Sequence, residues 1–400
     1  MSKKITLRYY LLAALYYGGL NMTSAMFMTF LLMRGLDERS AMIAYAFYFV
    51  ALTSIEIPTG AGSDVGGRKN AFMLACTLSA TSMIVYSFSE SFWTFALAAT
   101  LGGFGAAFAN GTLDSWFATQ MRYNGGEQSL DLAFTWVEIF KTIIAAVSGF
   151  VGIRFAGDTM QFPWFAATTC FLGAGLVAWQ IMHEQDFASR ERTSFRKKWK
   201  AWKQTAHDGM AYGRDNKKIR FLVLAVAALY ATMMIPNMLW QPHFLQWLPD
   251  KESLGYIWLA SMAASGLGML LVMVPRLLGY EMYDRKTLLI CLGVIGTGMI
   301  GMASFGDLRD SLIPYLLFYQ CGRGASQPIS RAFLHRNISS DQMRTTVASI
   351  EAIGHHIGAA TGLIIGAHIV LFFSRETALI SAGAFILLFA VFRWKHRKSS

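Results

Sequence analysis

Six stretches of this 400-residue chain carry no charged side chain over about the length a helix needs to cross hydrocarbon, roughly 20 residues. They are Tyr9–Met33, Ser91–Leu113, Met160–Met182, Phe221–Pro249, Thr287–Gly306 and Thr377–Phe392. Weaker runs lie between them, at about 41–59, 71–89, 132–156, 254–275, 311–334 and 345–372, several interrupted by one or two ionisable residues. The total is twelve spans. At about 22 residues each they occupy roughly 264 positions, which leaves about 136 for connections, too few for a folded soluble domain. The expectation is an all-α integral membrane body.

Composition agrees. Hydrophobic residues make up 54% of the chain and charged residues only 15%, whereas a soluble chain needs near a quarter of its residues charged to cover its surface. The net charge of +11 raises nucleic acid as a partner, but the distribution of basic residues excludes it. With a cytoplasmic N-terminus, about 27 of the 35 Lys and Arg fall on the inner side and about six outside: Arg34, Arg39, Arg154, Lys251, Arg309 and Arg375. Both termini are therefore expected in the cytoplasm, and the basicity is topological.

Met1-Ser-Lys-Lys before a long apolar run without a small-residue cleavage site reads as a retained first span rather than a signal peptide. Cys76, Cys170, Cys291 and Cys321 sit inside spans without paired spacing, so neither a disulfide framework nor a metal site is expected. The segment 185–220, centred on Arg196-Lys-Lys-Trp-Lys-Ala-Trp-Lys203, alternates basic residues with tryptophan. It reads as an interfacial helix on the anionic inner leaflet, with a protein-binding segment as the alternative. It divides the chain into residues 1–184, a basic amphipathic linker, and residues 221–400 with a short basic tail.

The two halves resemble each other. A shift of 217 lays Pro58, Gly62, Asp64, Arg68 and Lys69 over Pro275, Gly279, Glu281, Arg285 and Lys286. A shift of 213 lays Glu138 and Gly149 over Glu351 and Gly362, and a shift of 219 lays Gly103-x-Gly105-Ala106 over Gly322-x-Gly324-Ala325. Asn21-Met22 falls over Asn237-Met238 at a shift of 216. Such near-constant shifts are those of a duplicated six-plus-six chain, a common construction among transporters.

On these residues the chain resembles the major facilitator superfamily. Gly60-Ala-Gly-Ser-Asp64-Val-Gly-Gly67-Arg68-Lys69, between spans two and three, is similar to that family's signature loop, with Val65 in place of its first basic residue. The degenerate copy at 275–286 and the repeat extend the resemblance over the chain. It implies two pseudo-symmetric six-helix bundles and a gating role for Gly60, Asp64, Gly67, Arg68, Asp114, Glu281 and Arg285. Gly60 and Gly67 permit a tight turn, and Asp64 is expected against the N-terminal end of span eleven as a latch. Asp114, near the cytoplasmic end of span four, is expected to pair with Arg68, with direct proton carriage as the alternative. Span four has Ala99 where the family's motif carries arginine, and span five lacks the Gly-Pro motif of drug–proton antiporters.

Polar and ionisable groups inside spans are costly in lipid and are expected to face a partner or an aqueous path. Lys141 in span five, Arg323 in span ten, and His355 and His356 in span eleven bring cationic or titratable groups toward the midplane. One reading is a cationic site for an anionic or zwitterionic substrate. The other pairs Lys141 with Glu138, three residues away on one helix face, and Arg323 with Glu351, leaving neutral surroundings. Glu138 and Glu351, matched in the two halves, are candidate proton carriers, with His355 or His356 as alternatives. Tyr17 and Asn21 of span one, Asn237, Trp240, Gln241 and His243 around Pro236 and Pro242 of span seven, and Gln320 and Gln327 beside Arg323 complete the candidate substrate contacts.

The resulting expectation is a secondary active transporter, working by alternating access and driven by protons. Glu56-Ile-Pro-Thr-Gly60 and Trp240-Gln-Pro-His243 resemble bacterial drug and natural-product exporters, which favours export. A proton-coupled importer of an organic anion is the alternative. No Gly-x-x-x-x-Gly-Lys-Ser/Thr loop is present for a primary pump. An intramembrane enzyme is disfavoured because His355 and His356 point about 100° apart on one helix, and a sensor because the connections are short. No cofactor is expected. The partners are a small-molecule substrate, protons and membrane lipid, and the setting is a monomer in a bacterial inner membrane.

Overall fold

The computed structural model describes the backbone of residues 2–123, 130–182, 216–337 and 341–395. It describes their side chains too, except at 2, 3, 56–66, 130–135, 276, 277, 335 and 341–349. Of the basic linker expected at 185–220, residues 185–215 lie outside the described residues, and 217–220 already belong to the helix Lys217–Leu245. Among the described residues the secondary structure is helical, and nine helices are long and apolar enough to cross a membrane. By contacts the chain clusters into two compact units, Met1–Gly35 with Phe47–Trp202, and Leu36–Ala46 with Lys203–Ser400.

The first unit contains α1 (Ser2–Asn21), α2 (Phe27–Met33), most of α3 (Glu38–Gly66), α4 (Arg68–Phe88), α5 (Phe92–Ala109), α6 (Thr112–Tyr123), α7 (Leu130–Arg154) and α8 (Phe162–Ile181). Helix α1 packs on α6, α7 and α8, and α4 packs on α5 and α8. Two uncharged runs that read as single spans are each two helices. The run at Tyr9–Met33 breaks into turns after Asn21, whose side-chain amide donates to the carbonyl of Tyr17 at 2.8 Å. The run at Ser91–Leu113 breaks at Asn110 and Gly111, where Gly111 takes φ +66°. Apolarity alone conceals such breaks, because both sides of a turn can remain in lipid or in the core. Helix α5 starts on a capping box, with Ser91 and Thr94 bonding each other's backbone N–H.

The second unit contains α9 (Lys217–Leu245), α10 (Leu254–Leu277), α11 (Arg285–Ser304), α12 (Leu308–Pro314), a π-helical turn at Tyr315–Gln320, α13 (Cys321–Asn337), α14 (Asp341–Phe372) and α15 (Arg375–Lys395). Asn216 and Asp284 cap α9 and α11 through side-chain oxygens that accept backbone N–H bonds. Helix α9 packs on α14, α15 and α13, and α11 packs on α15. These contacts are backbone-close. A Cβ on Gly362 of α14 would stand 1.8 Å from the carbonyl oxygen of Ala231, and one on Gly324 of α13 would stand 1.9 Å from that of Ser265. Only glycine allows these crossings, and they bring α14 and α13 against α9 and α10.

The opening of α3 clusters with this second unit, where Arg375 at the start of α15 binds Glu38 and donates to the carbonyl of Pro242 at 2.6 Å. The four cysteines, Cys76, Cys170, Cys291 and Cys321, are free thiols.

Candidate substrate and ion-coupling sites

In the second unit the polar site forms where α9 faces the π-helical turn and α13. Pro314 precedes that turn, which widens the helix just before Arg323, and π-helical insertions of this kind gather at functional sites. Tyr315 and Tyr319, one turn apart, stack on each other with centroids 5.6 Å apart and an interplanar angle of 26°. The hydroxyl of Tyr319 donates to Asn237 Oδ1 at 3.0 Å and lies 3.2 Å from the carbonyl of Met233. Pro236 lacks the N–H that would bond the carbonyl of Thr232, one turn earlier in α9. Arg323 Nη1 donates to the same Asn237 oxygen at 3.3 Å. Among the described residues no carboxylate pairs with Arg323, which removes the expected Arg323–Glu351 pairing. The two side chains lie on helices whose relative rotation no residue spacing encodes.

Gln320, 3% exposed, donates to the Tyr315 hydroxyl at 2.6 Å, and its Oε1 is buried with no partner among the described residues. An amide flip would exchange which end lacks a partner, without removing the deficit. Gln327 donates to Tyr230 at 2.9 Å, and Tyr230 stacks on His355 with centroids 3.4 Å apart. His356 lies beside His355, with ring centroids 4.8 Å apart. Trp240 stacks on Tyr315 at 6.3 Å and 22°. Gln241 and His243 are each 1% exposed, and His243 Nε2 lies 3.0 Å from both the carbonyl of Met302 and Ser311 Oγ. His243 is thus part of the packing between α9, α11 and α12.

The first unit brings together residues that the sequence assigns to different roles. Lys141 Nζ lies 3.2 Å from Asp114 Oδ1 and 3.2 Å from Glu138 Oε1, and 4.7 Å from the centre of the Tyr17 ring. The hydroxyl of Tyr9, whose side chain is fully buried, donates to Asp114. The Lys141–Glu138 pairing is the one that the three-residue spacing implies. The expected pairing of Asp114 with Arg68 does not form. Arg68 Nη1 instead donates to the carbonyl of Ser115 at 2.8 Å and to Thr119. The break at Asn110–Gly111 reorients the helix carrying Asp114, which turns the carboxylate toward α1 and α7.

Of the remaining gating candidates, Gly60 and Asp64 lie outside the described side chains. Gly67 holds φ +85° between α3 and α4, a conformation suited to glycine. The second copy of the loop also holds a glycine at positive φ, Gly279 with φ +93°, at the position that the repeat lays over Gly62. There Glu281 pairs with Arg336, and Arg285 donates to the carbonyl of Arg393 at 3.2 Å while its guanidinium lies 4.4 Å from the Phe221 ring centre.

Tyr9, Tyr230, Tyr315 and Tyr319 are the contact residues that sequence reasoning missed. The signal was present: Tyr315, Tyr319 and Arg323 recur every four residues on one face.

Comparison with solved structures finds the same fold in transporters of low sequence identity. A nucleoside transporter, NupG, superposes with a TM-score of 0.78 at 14% identity, covering 99% of this chain and 99% of that one. A POT family transporter in complex with 5-aminolevulinic acid gives 0.76 at 10% identity over 98% and 95% of the two chains. The inward open xylose transporter XylE from E. coli gives 0.69 at 13% identity over 99% and 96%. No curated protein matches significantly by sequence. A family model described as Major Facilitator Superfamily matches residues 9–350. With that match, the helical fold and its apolar spans, the chain belongs to the major facilitator superfamily and is a multi-pass integral membrane transporter rather than an enzyme.

Proposed function

We propose that the protein is a proton-coupled secondary transporter of a small organic molecule bearing a carboxylate or comparable anionic group, and that Arg323 is the anchor for that group. The observation that carries this reading is the chemistry around Arg323, whose partner among the described residues is the neutral amide oxygen of Asn237. A guanidinium in a membrane bundle without a carboxylate beside it is strongly disposed to bind an anion, and its planar fork matches a carboxylate. Stacked Tyr315 and Tyr319 supply an aromatic wall, and Gln320 a polar group that is only half used. A substrate with an anionic head and a hydrogen-bonding or cationic second group, a zwitterion for instance, suits this set. The fold neighbour solved with 5-aminolevulinic acid holds a ligand of that kind.

In this reading twelve spans form two six-helix bundles, residues 1–184 and 221–400, joined by the basic linker, with both termini cytoplasmic. The protein works as a monomer in a bacterial inner membrane. Alternating access exposes the substrate site to one side of the membrane and then the other, and the direction is export. Glu138 and Glu351, or the histidines His355 and His356, carry the coupled proton. Ligand-induced stabilisation of the purified protein tests the anchor. Carboxylate and zwitterionic compounds should raise the melting temperature of the wild type and not of Arg323→Ala, whereas equal shifts in both proteins reject Arg323 as the anchor.

A further inference from the structure

His243, near the end of α9, is held by its surroundings in one tautomer. Its Nε2 lies 3.0 Å from the carbonyl oxygen of Met302 in α11 and 3.0 Å from Ser311 Oγ in α12. A carbonyl oxygen only accepts, and the Ser311 hydroxyl donates to that same carbonyl. Nε2 therefore carries the hydrogen and shares it between two acceptors. In the neutral ring Nδ1 is then a bare lone pair. It is buried, with no hydrogen-bond partner among the described residues, on a side chain 1% exposed. Glu376 at the start of α15 has a carboxylate oxygen 4.0 Å from it. Two acceptors face each other there, and a proton between them turns that opposition into an ion pair.

The charged groups that act on the ring are Arg375 and Glu376. Arg375 is already engaged: it binds Glu38 and donates to the carbonyl of Pro242, the residue before His243. Helix α11 has no charged side chain after Lys286, and α9 has none between Arg220 and His243. On α12, Asp307 caps its own helix, and Arg309 and Asp310 are exposed. Past α9, Asp250 caps the turn Lys251–Ser253. His368 of α14 is exposed and bonded to the Ile364 carbonyl of its own helix. Arg375 with Glu38 and Glu376 thus leaves one net negative charge, which one proton on His243 neutralises.

We infer that His243 is a proton-binding site with Glu376 as its counter-ion, and that acid closes a second bond between the end of α9 and the start of α15. The inference goes beyond the proposed transport, since it concerns neither the substrate nor the coupled proton. The proton adds to the Nδ1 lone pair, while Nε2 keeps its hydrogen and both acceptors. Imidazole suits this task because its charge changes near physiological pH. Before the proton arrives, Arg375 joins α15 to α9 through the Pro242 carbonyl. Afterwards the next residue of each helix is joined too, His243 to Glu376. The Glu376 side chain, 44% exposed, is the route by which a proton reaches the buried ring. In the topology proposed above this end of the bundle faces outward, so the bond responds to the acidity of the outer medium.

No substrate is needed to test this, so its outcome is separable from that of the transport reading. The full chain, labelled with 15N-histidine and held in lipid nanodiscs, is followed by NMR across a pH series, and the His243 signals are identified by their loss in His243→Gln. At neutral pH they should show hydrogen on Nε2 and a bare Nδ1, and in acid both nitrogens should become those of an imidazolium. The midpoint should fall by about one pH unit in Glu376→Gln, where the opposite charge is removed. A hydrogen on Nδ1 at neutral pH, no titration, or an unmoved midpoint in Glu376→Gln overturns the inference. Hydrogen–deuterium exchange, corrected for the intrinsic effect of pH, reads the structural consequence. Acid should protect the start of α15 in the wild type and not in Glu376→Gln; equal protection in both contradicts the inference, and this comparison stands even if His243→Gln fails to fold.

Discussion

Arg323 and Asn237 meet at 3.3 Å through a guanidinium nitrogen and an amide oxygen, an ionic group held by a neutral one. The same oxygen accepts from Tyr319 at 3.0 Å, so Asn237 positions both side chains at once. A carboxylate there would have neutralised the guanidinium; an amide orients it and leaves its charge in place. The two groups come from α9 and α13, which the glycine crossings at Gly362 and Gly324 hold in backbone contact with their neighbours.

Removing the anchor should weaken binding most. A hydrogen bond to a charged group contributes about 1.5–3 kcal/mol, so Arg323→Ala is expected to lose roughly 10- to 150-fold in affinity for a carboxylate ligand. Arg323→Lys should recover part of this, since it keeps the charge and loses the planar fork. Isothermal titration in detergent measures both.

Asn237→Leu and Tyr319→Phe test orientation. Both leave the charge of Arg323 in place; Asn237→Leu removes the two bonds that the amide oxygen accepts and Tyr319→Phe one of them, so KM in a flux assay should rise by about 1 kcal/mol per bond, more for Asn237→Leu, with a smaller change in kcat. An effect as large as that of Arg323→Ala would mean that the amide itself contacts substrate.

The pairing of Lys141 with Asp114 predicts non-additive stability. Lys141→Met leaves two carboxylates facing each other without a cation and should lower Tm; adding Asp114→Asn should restore much of the loss. A double-mutant cycle on Tm measures the coupling, and additive effects would deny that the two groups interact.

Much of this arrangement is legible in the sequence, and the limits are specific. The glycine at the tight turn, Gly67, and the Lys141–Glu138 pair follow from local spacing, where backbone geometry alone decides which atoms meet. The partners of Arg323 and Asp114 do not, because they depend on how one helix is rotated against another. The break at Asn110–Gly111 and the π-helical turn at Tyr315–Gln320 each change that rotation inside runs that look uniformly apolar. The aromatic residues Tyr9, Tyr230 and Tyr319 were hidden among the many that pack against lipid or core, and their hydroxyl partners lie 105, 97 and 82 residues away.

Close backbone crossings predict a steric outcome. Gly362→Ala would place a methyl group 1.8 Å from the Ala231 carbonyl oxygen, so α14 must move off α9. Overpacking typically costs about 1–3 kcal/mol, and thermal unfolding in detergent should show a lower Tm and less folded protein. Gly266→Ala meets nothing within 4 Å and should leave Tm unchanged.

Outside the membrane, Asp37 gives a small pH effect of known sign. Hydrogen bonds from Ser40, including its backbone N–H at 2.8 Å, hold the Asp37 carboxyl below its ordinary value. Its contribution to the start of α3 is therefore present above the unfolded carboxylate range and is lost as pH falls through the depressed value. The Tm of wild type and Asp37→Asn should converge as pH falls into that acidic range.

In the proposed function Arg323, which pairs with no carboxylate among the described residues, selects an anionic group for proton-coupled movement. Proteoliposomes with an entrapped pH indicator, offered matched carboxylates, zwitterions, neutral nucleosides and quaternary ammonium compounds, test it directly. Proton flux should be driven by carboxylate-bearing compounds and abolished in Arg323→Ala. Flux driven by quaternary ammonium compounds and indifferent to Arg323 would contradict it.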